Sequence, residues 1–416
     1  MRKFTTIAIA IIAFASCIAC SKAKKDATDG AAQTEIAESP RNIPEGAIAF
    51  DYGGHLYFDV MLRDSVPATM AFDTGNTSLL LDNLFFQEHF AQSETLIRTV
   101  IQGAGNRLEG AYKDTSDWTY RIGEYPHTEQ GAIVMDLRKI LGDYVDGMFG
   151  MEFMRGKKIE LNYIDGYMRI LPQEEQPAEG YVCLQGKWMN NRQVRMLVPM
   201  NIKFNDKLSF DGNFLVDLGA SANISINSSC AAKLNLGDVV NDVNIKVYDV
   251  GGVGGSRIDY LFKIDNASIA NFDIKDLTIS SSGNSMGVMA DSSYDGLIGN
   301  ALLEQFDVIF DFERCQMWLR PNKNFNPTAK YDTGMTLTPK TDCWVVNGLI
   351  EGGNAHKAGV KRGDIITSIN GLSPEKAFKT LARVNTIKVE PGTHILFKRG
   401  CVWNGGISIT GSGSKE

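Results

Sequence analysis

Two aspartates stand in matching segments whose residue types could carry out acid–base chemistry. Asp73 lies in the segment AFDTG and Asp217 in the segment LVDLG, and a glycine follows two residues after each. A carboxylate accepts a proton from water and a carboxylic acid donates one, so paired carboxyl groups suit general acid–base catalysis. Two carboxylates about 3 Å apart repel each other by roughly 5 kcal/mol at an effective dielectric near 20, so such a pair retains one shared proton.

The surroundings of the two aspartates repeat along the chain. Glycine-rich turns follow at 103–105 and 252–254, and the motifs DGMFG and DGLIG end at Gly150 and Gly299. From Gly103 to Gly252, and again from Gly150 to Gly299, the separation is 149 residues, whereas Asp73 and Asp217 are 144 apart. A loop can absorb the difference of five residues. A period this long exceeds that of a solenoid repeat, so the pattern indicates a tandem duplication.

The elements that must position these residues are predicted to be mainly β-strands. Segments such as LYFDVML, TMAF, IKVYDV and DVIFDF are apolar or alternate between turn residues, which favours strands. YIDGYMRI is typical of a hairpin with an Asp-Gly turn. One short helix is expected after each repeated glycine, in GMEFMRG and GNALLEQF.

The order of these motifs resembles the pepsin and retropepsin families of aspartic proteases. In those families a hydrophobic strand ends in Asp-Thr-Gly, a glycine-tipped hairpin follows, and an apolar-apolar-Gly motif comes later. The match covers roughly residues 46–320 and implies two homologous β-rich lobes related by pseudo-twofold symmetry, at 46–178 and 179–322.

The resemblance implies specific roles for residues of both copies. Asp73 and Asp217 would form the catalytic dyad, and one of them would activate a water molecule that attacks a peptide bond. The loops that support the dyad would contain Thr74, Gly75, Asn76 and Gly219, and the flaps that close over a substrate would contain Gly103, Ala104, Gly105, Gly252, Val253 and Gly254. Pepsin-like monomers use one flap and retroviral dimers use two, and the sequence leaves both options open.

The second motif departs from the family pattern. The family has Thr or Ser after the aspartate, where a hydroxyl bonds to the opposite loop, but this chain has Leu218. Losing one such buried bond costs on the order of 1–3 kcal/mol. Two hypotheses therefore remain open: an aspartic endopeptidase acting on peptides or proteins, and a catalytically impaired peptide-binding pseudoprotease that serves as a scaffold.

The C-terminal part resembles a bacterial PDZ domain. Ala355, Ala358 and Gly359 match its Ala-x-x-Ala-Gly motif, and Gly-Asp and Ile-Asn-Gly motifs follow. The resemblance implies a β-sandwich or barrel with short helices at 330–412, and partners that present protein C-termini. The loop that binds the terminal carboxylate would begin at Thr333, Gly334 and Met335. A role in packing alone is the alternative.

The N-terminus is typical of an export signal. Two basic residues precede an apolar run at 7–19, which is too short to span a bilayer about 30 Å thick. Cys20 resembles the lipidated cysteine of a bacterial lipoprotein, with Cys17 as a weaker candidate. We therefore expect a signal peptide at 1–20, a flexible tether at 21–45 and a membrane-anchored protein of the cell envelope. Ordinary signal cleavage without lipidation is the alternative.

Other kinds of site are not supported by the sequence. The net charge is −7 without Lys/Arg clusters, so nucleic acid is not expected as a partner. His-Glu-x-x-His, Gly-x-Ser-x-Gly and phosphate-loop motifs are absent from the sequence, so no metal or cofactor is expected. Five cysteines follow the signal peptide, an odd number without close spacing, which does not describe a disulfide framework.

Overall fold

A computed structural model describes residues 41–90, 95–190, 192–240, 246–250, 252–255, 257–327, 335–369, 371–374, 386–387, 394–399 and 402–408. The signal peptide and Cys20 therefore lie outside the described residues, as do Thr333 and Gly334. Arg41 and Asn42, which the sequence places in the tether, bond to Phe50 and Asp165 of the folded part. The prediction of a mainly β fold is confirmed.

The elements run in the following order. Up to residue 171 they are β1 (Ile48–Ala49), β2 (Asp51–Tyr52), β3 (Leu56–Leu62), β4 (Val66–Asp73), β5 (Leu80–Asp82), α1 (Asn83–Phe90), β6 (Leu96–Ile101), β7 (Glu109–Ile122), β8 (Tyr125–Met135), α2 (Arg138–Leu141), β9 (Gly147–Gly150), α3 (Met151–Met154), β10 (Lys158–Asn162) and β11 (Tyr167–Leu171). From 182 to 321 they are β12 (Val182–Gln185), β13 (Lys187–Asn190), β14 (Gln193–Asn205), β15 (Leu208–Val216), β16 (Ile224–Ile226), α4 (Ser228–Lys233), α5 (Leu236–Val239), β17 (Lys246–Val250), β18 (Arg257–Lys263), β19 (Asn266–Ile269), β20 (Phe272–Lys275), β21 (Thr278–Ser282), a 3₁₀ turn (Val288–Ala290), β22 (Gly296–Ile298), α6 (Asn300–Leu303), β23 (Phe306–Asp311) and β24 (Gln316–Pro321). The last elements are β25 (Met335–Pro339), β26 (Trp344–Ile350), α7 (Asn354–Lys357), β27 (Ile365–Ile369), β28 (Thr386–Ile387), β29 (His394–Arg399) and β30 (Val402–Ser408).

Within the described residues the strands form three sheets. One has the order β2-β3-β4-β9-β5-β8-β7-β6, and a second has the order β1-β11-β10-β23-β24-β12. The third follows β20-β19-β14-β15-β22-β16-β21-β18-β17 and continues through β26-β27-β29-β30, with β13, β25 and β28 at its sides. The second sheet joins the two copies of the sequence repeat, because β10 pairs with β23.

Alternating side chains explain why these segments form strands. In β26 every second residue from Trp344 to Ile350 is buried, as expected for a strand with one face on a core. Around β4 the rings of Phe58, Phe72 and Phe149 contact one another at centroid distances of 5.0–5.9 Å. Burying each such ring stabilises the fold by about 1.5–3 kcal/mol, so the strands that lead to the aspartates are firmly held.

The C-terminal elements have a core of their own, formed by Met335, Leu337, Trp344, Val346 and their neighbours. They also contact the preceding part of the chain. The backbone of β26 pairs with β17 at Ile350 and Leu349, and the turn between β25 and β26 contacts residues 138–144.

Two further properties follow from the described residues. Among the described helices, none combines the length and apolar character that crossing a lipid bilayer requires. The cysteines at positions 183, 230, 315 and 343 carry free thiols, and Cys401 lies outside the described residues.

Candidate functional site

Asp73 is positioned by a parallel strand pair followed by a tight turn. It ends β4 and lies opposite Gly150 of β9. The N–H of Asn76 then donates to the Asp73 carbonyl at 3.3 Å. A Cβ atom at position 150 would lie 1.8 Å from that carbonyl oxygen, so the close approach of the two strands requires glycine there.

Asp217 is positioned in the same way. It follows β15, which runs parallel to β22, and its N–H donates to the Ile298 carbonyl at 2.9 Å. The N–H of Ala220 donates to the Asp217 carbonyl at 3.2 Å. A Cβ atom at Gly299 would lie 2.5 Å from the Ala220 carbonyl oxygen. The local backbone therefore repeats the arrangement around Asp73.

The aspartate of each Asp-Gly motif fixes the strand that leads to the site. Asp146 accepts the N–H of Thr69 at 3.0 Å, and Asp295 accepts the N–H of Asn213 at 2.8 Å. The motif itself was visible in the sequence, but this role was missed, because the partner is a backbone group that only the folded pairing brings near.

The structure brings Asp73 and Asp217 together, since both carboxyl groups approach Gly75, where a Cβ atom would lie 3.0 Å from Asp217 Oδ1 and 3.2 Å from Asp73 Oδ1. The N–H groups of Gly75 and Asn76 donate to Asp73 Oδ1 at 2.7 and 3.1 Å, and the N–H of Gly219 donates to Asp217 Oδ1 at 2.9 Å. A Cβ atom at Gly219 would lie 2.4 Å from Asp73 Oδ2. The two loops therefore pack so closely that glycine is needed at 219.

The pKa values of both carboxyl groups are raised. Burial raises the pKa of Asp73, while donors from Gly75, Asn76 and Gly219 oppose the rise. Burial, the charge of Asp73 and the hydrogen bond to it raise the pKa of Asp217 well above its usual value. Asp73 has more donors, so its pKa is raised less strongly than that of Asp217.

Thr74 connects the two aspartate loops, whereas Leu218 does not. The Thr74 hydroxyl donates to the Val216 carbonyl at 2.7 Å and accepts the N–H of Leu218 at 2.9 Å. The Leu218 side chain is fully buried in the large apolar core. The offset of 144 residues matches Thr74 with Leu218. A hydroxyl at both positions would give two symmetric sets of contacts between the loops. Because Leu218 has no hydroxyl, only the set made by Thr74 is present.

Three residues near the dyad were not singled out from the sequence. His55, between β2 and β3, places Nε2 at 2.9 Å from the carbonyl oxygen of Gly219. Burial lowers the pKa of this imidazole to about 4. Asn300, at the start of α6, donates from Nδ2 to the Leu218 carbonyl at 2.7 Å and accepts the Tyr163 hydroxyl at 2.8 Å. Position 300 follows the repeated glycine, but its counterpart in the first copy is Met151, so the repeat gave no signal.

The two glycine-rich loops meet each other. We refer to residues 103–106 as the first glycine loop and to residues 252–255 as the second. The N–H of Gly105 donates to the Val253 carbonyl at 2.7 Å. A Cβ atom at Gly105 would lie 2.2 Å from the Gly254 carbonyl carbon, and Gly254 itself has a φ of +90°. The Val253 side chain packs against the apolar cluster that contains Ala71 and Met148.

The first glycine loop is also held by the segment that follows β21. Asn106 Oδ1 accepts the N–H groups of Ser285 and Met286 at 3.1 and 3.2 Å. Asn284 Nδ2 donates to the Ala104 carbonyl at 3.0 Å. The first glycine loop is therefore in contact with the second half of the duplicated region.

Two apolar clusters flank the aspartates at equivalent positions. One includes Tyr57, Ala71, Leu80 and Met148, and the other includes Leu197, Leu215, Tyr294 and Leu297. Ala71 and Leu215 each stand two residues before an aspartate.

At the C-terminal module only one of the three predicted binding residues can be described. Met335 is the first residue of β25, and its side chain is fully buried. Met335 therefore offers no exposed surface to a ligand, contrary to the predicted binding role. Its strand pairs with β26 on one side and with β28 on the other.

Comparisons with known proteins bear on this module. None of the curated proteins matches the chain. A family model described as PDZ domain matches residues 345–384, within the region where the sequence motifs predicted such a domain. PDZ domains bind peptides or proteins. The chain therefore carries a PDZ domain, and peptide or protein binding is a property of this part of the molecule.

Proposed function

We propose that the chain is an aspartic endopeptidase built from two homologous lobes, in which Asp73 and Asp217 activate a water molecule for peptide hydrolysis. The observation that carries the proposal is the meeting of the two carboxyl groups at the aspartate loops, where a Cβ atom at Gly75 would lie 3.0 Å from Asp217 Oδ1 and 3.2 Å from Asp73 Oδ1, together with the raised pKa values of both groups. Both aspartates are half-buried.

The surroundings of the two carboxyl groups assign their roles. Ionised Asp73 accepts a proton from water, whose oxygen attacks the carbonyl carbon of the peptide bond. Protonated Asp217 donates a hydrogen bond to the carbonyl oxygen, which gains negative charge as the tetrahedral intermediate forms. A proton then passes to the leaving nitrogen as the C–N bond breaks. The meeting glycine loops supply a cover that excludes bulk water during this step.

The PDZ domain would bring substrates or partners to the site through their C-termini. Its strand β26 pairs with β17, which leads into the second glycine loop. A peptide bound at the PDZ domain would therefore be held on an element that is continuous with this loop.

The proposal includes export and attachment to a membrane of the bacterial cell envelope through lipid on Cys20. The N-terminal sequence alone supports this part. Metabolic labelling with a radioactive fatty acid should label the wild-type protein, and Cys20→Ala should abolish the label and release the protein from the membrane fraction. Label that persists in Cys20→Ala would contradict this assignment.

The decisive test is hydrolysis of denatured protein by the purified chain between pH 3 and 7. Asp73→Asn and Asp217→Asn should each reduce kcat by at least about 100-fold, because each removes one partner of the acid–base pair. Asp206→Asn is a matched control, since the Asp206 side chain is 95% exposed and paired only with the surface residue Lys203 on the described contacts. Unchanged cleavage in either dyad variant would overturn the proposal.

The scaffold hypothesis draws on one observation, the buried Leu218 in place of a hydroxyl residue. A pseudoprotease would bind an extended peptide at the cleft without cutting it. Wild-type protein that binds a statine-type transition-state analogue but shows no cleavage across the pH range would favour this second function.

A further inference from the structure

Three consecutive carbonyl groups after Asp217 are each held by Asn300 or His55. Asn300 donates from Nδ2 to the Leu218 carbonyl at 2.7 Å and from its backbone N–H to the Ala220 carbonyl at 2.9 Å. His55 Nε2 lies 2.9 Å from the carbonyl oxygen between them, that of Gly219. A carbonyl only accepts hydrogen bonds, so His55 must carry its proton on Nε2. The loop that presents Asp217 is therefore fixed on its carbonyl side.

These side chains orient the peptide groups that contact the dyad. The peptide unit between Leu218 and Gly219 has its carbonyl on Asn300 and its N–H on Asp217 Oδ1 at 2.9 Å. In the peptide unit between Gly219 and Ala220, the carbonyl accepts a hydrogen bond from His55. The N–H of the same unit donates to the Asp217 carbonyl. A hydrogen bond to a carbonyl strengthens the donor at the other end of the same peptide unit.

Asn300 also connects this loop to the first half of the duplication. Its Nδ2 donates to the Gly54 carbonyl at 2.9 Å, and its Oδ1 accepts the Tyr163 hydroxyl at 2.8 Å. Asn300 is fully buried, so no water can replace these hydrogen bonds if its amide loses them. Gly54 is the neighbour of His55, and both lie in the short segment between β2 and β3.

The contacts of His55 and Asn300 are made to the loop in which Leu218 stands at the position equivalent to Thr74. Thr74 anchors the Asp217 loop through the N–H of Leu218, but Leu218 has no hydroxyl to return the contact. By the offset of 144 residues its missing partners would be the Phe72 carbonyl and the Thr74 N–H. The missing contacts belong to the Asp73 loop, whereas the Asp217 loop keeps the Thr74 hydroxyl and is also held on its carbonyls by His55 and Asn300.

We infer that His55 and Asn300 are positioning residues that fix the peptide groups that hold the Asp217 carboxyl. The inference rests on the proposed function where it concerns turnover. Neither residue touches the reacting atoms. Both act through the Gly219 and Ala220 peptide groups, and both tie the second half of the duplication to the segment before β3.

The test compares substitutions that differ only in hydrogen bonding. His55→Phe keeps a flat ring and removes the donor, and His55→Gln retains a donor at the same number of bonds from Cβ. We expect His55→Phe to lower kcat by about 10- to 100-fold with KM within about threefold, because misplacement of a catalytic group costs rate more than binding. His55→Gln should restore most of that loss. Asn300→Leu should resemble His55→Phe.

The comparison of the two His55 variants tests the donor itself. A His55→Gln variant as impaired as His55→Phe would overturn the role of the donor.

A measurement that does not depend on turnover separates this inference from the proposed function. In protein with ¹³C-labelled aspartate carboxyl groups, NMR titration follows Asp73 and Asp217 directly. His55→Phe and Asn300→Leu should shift the titration of Asp217, and His55→Gln should not. If the wild type shows no hydrolysis but the variants still shift the titration of Asp217, the peptidase function is rejected and the positioning role is retained. Unshifted titrations in both variants would reject the positioning role.

Discussion

The hydroxyl group of Thr74 lies 2.9 Å from the backbone nitrogen of Leu218, whose N–H it accepts. The same hydroxyl donates to the Val216 carbonyl at 2.7 Å. One buried side chain therefore satisfies two backbone groups of the opposite aspartate loop. Since Leu218 returns no such contact, this hydroxyl is the anchor between the two loops on that side of the dyad.

Replacing Thr74 by Val keeps the shape of the side chain and removes both contacts. An unsatisfied buried polar group costs about 1–3 kcal/mol. We therefore expect the free energy of unfolding of Thr74→Val to fall by about 2–5 kcal/mol, measured by urea denaturation of the purified chain.

Thr74→Ser is the matched control for this prediction. It retains the hydroxyl and loses one methyl group, for which a loss near 1 kcal/mol is expected. If Thr74→Val unfolds at the same urea concentration as Thr74→Ser, the hydroxyl does not anchor the loops.

Asn106 provides a second prediction, on the stability of the closed first glycine loop. Its Oδ1 accepts the N–H groups of Ser285 and Met286 and the Ser285 hydroxyl. Asn106→Ala removes an acceptor that is worth about 0.5–1.5 kcal/mol per contact. Hydrogen exchange at the Gly105 amide, which donates to Val253, should become about 10-fold faster or more.

Asn106→Asp separates the contact from other effects of the substitution. A carboxylate accepts the same three donors, so its exchange should remain close to that of the wild type. Equal acceleration in Asn106→Ala and Asn106→Asp would mean that Oδ1 does not hold the loop closed.

Much of this arrangement follows from patterns that a sequence displays. Alternating apolar residues predict the strands, and the duplicated Asp-x-Gly segments predict that Asp73 and Asp217 occupy equivalent positions. In the structure Asp73 ends, and Asp217 directly follows, a strand that runs parallel to a glycine-containing partner. The PDZ motifs fall within 345–384, where the family model matches. These features depend on local periodicity or on fixed spacing.

His55 and Asn300 could not be found in this way. Their partners are backbone carbonyls 164 and 82 residues away, and backbone groups carry no sequence signal. The repeat hides Asn300 further, because Met151 occupies the equivalent position. Whether the two glycine loops touch is likewise a property of tertiary packing, and the sequence left the number of working flaps open.

The contact between the PDZ domain and residues 138–144 gives a third prediction. Asp143 accepts Lys340 Nζ at 2.9 Å and the N–H of Thr341 at 3.0 Å. Exposed ion pairs contribute about 1 kcal/mol or less, so the backbone contact matters as much as the charge. Asp143→Ala should accelerate hydrogen exchange at the Thr341 amide several-fold.

The variant Asp143→Asn tests the two parts of this contact separately. It keeps an acceptor for Thr341 and loses the charge. Raising NaCl to 0.5 M should narrow the difference between wild type and Asp143→Asn, because salt screens charge, and should leave the difference between Asp143→Asn and Asp143→Ala unchanged. Identical exchange in all three proteins would show that this contact does not hold the PDZ domain.

Two histidines lead to a prediction on pH and stability. Burial lowers the pKa of His55 to about 4, and burial with the nearby charge of Lys157 lowers the pKa of His127 to about 4. Between pH 6.5 and 4 the unfolded chain binds a proton at each position and the folded chain does not. Stability therefore rises with pH across this window and is lost on acidification, by up to about 3 kcal/mol for each histidine.

The dyad carboxyl groups have the opposite sign. Their raised pKa values mean that the folded chain binds the shared proton more tightly than the unfolded chain does, so their contribution is present at low pH and is lost as the pH rises through the folded values. A titration of the wild type alone thus mixes both effects. His127 touches neither aspartate in the described contacts, so the difference between wild type and His127→Gln isolates the histidine term.

Urea denaturation of the two proteins at pH 7.5, 6.5, 5.5 and 4.5 provides the measurement. The free energy of unfolding should fall more steeply on acidification in the wild type than in His127→Gln, and the gap between the two curves should change by about 2–3 kcal/mol between pH 7.5 and 4.5. Parallel curves would mean that His127 protonates equally in the folded and unfolded chains. In that case burial against Phe153 does not keep the ring neutral.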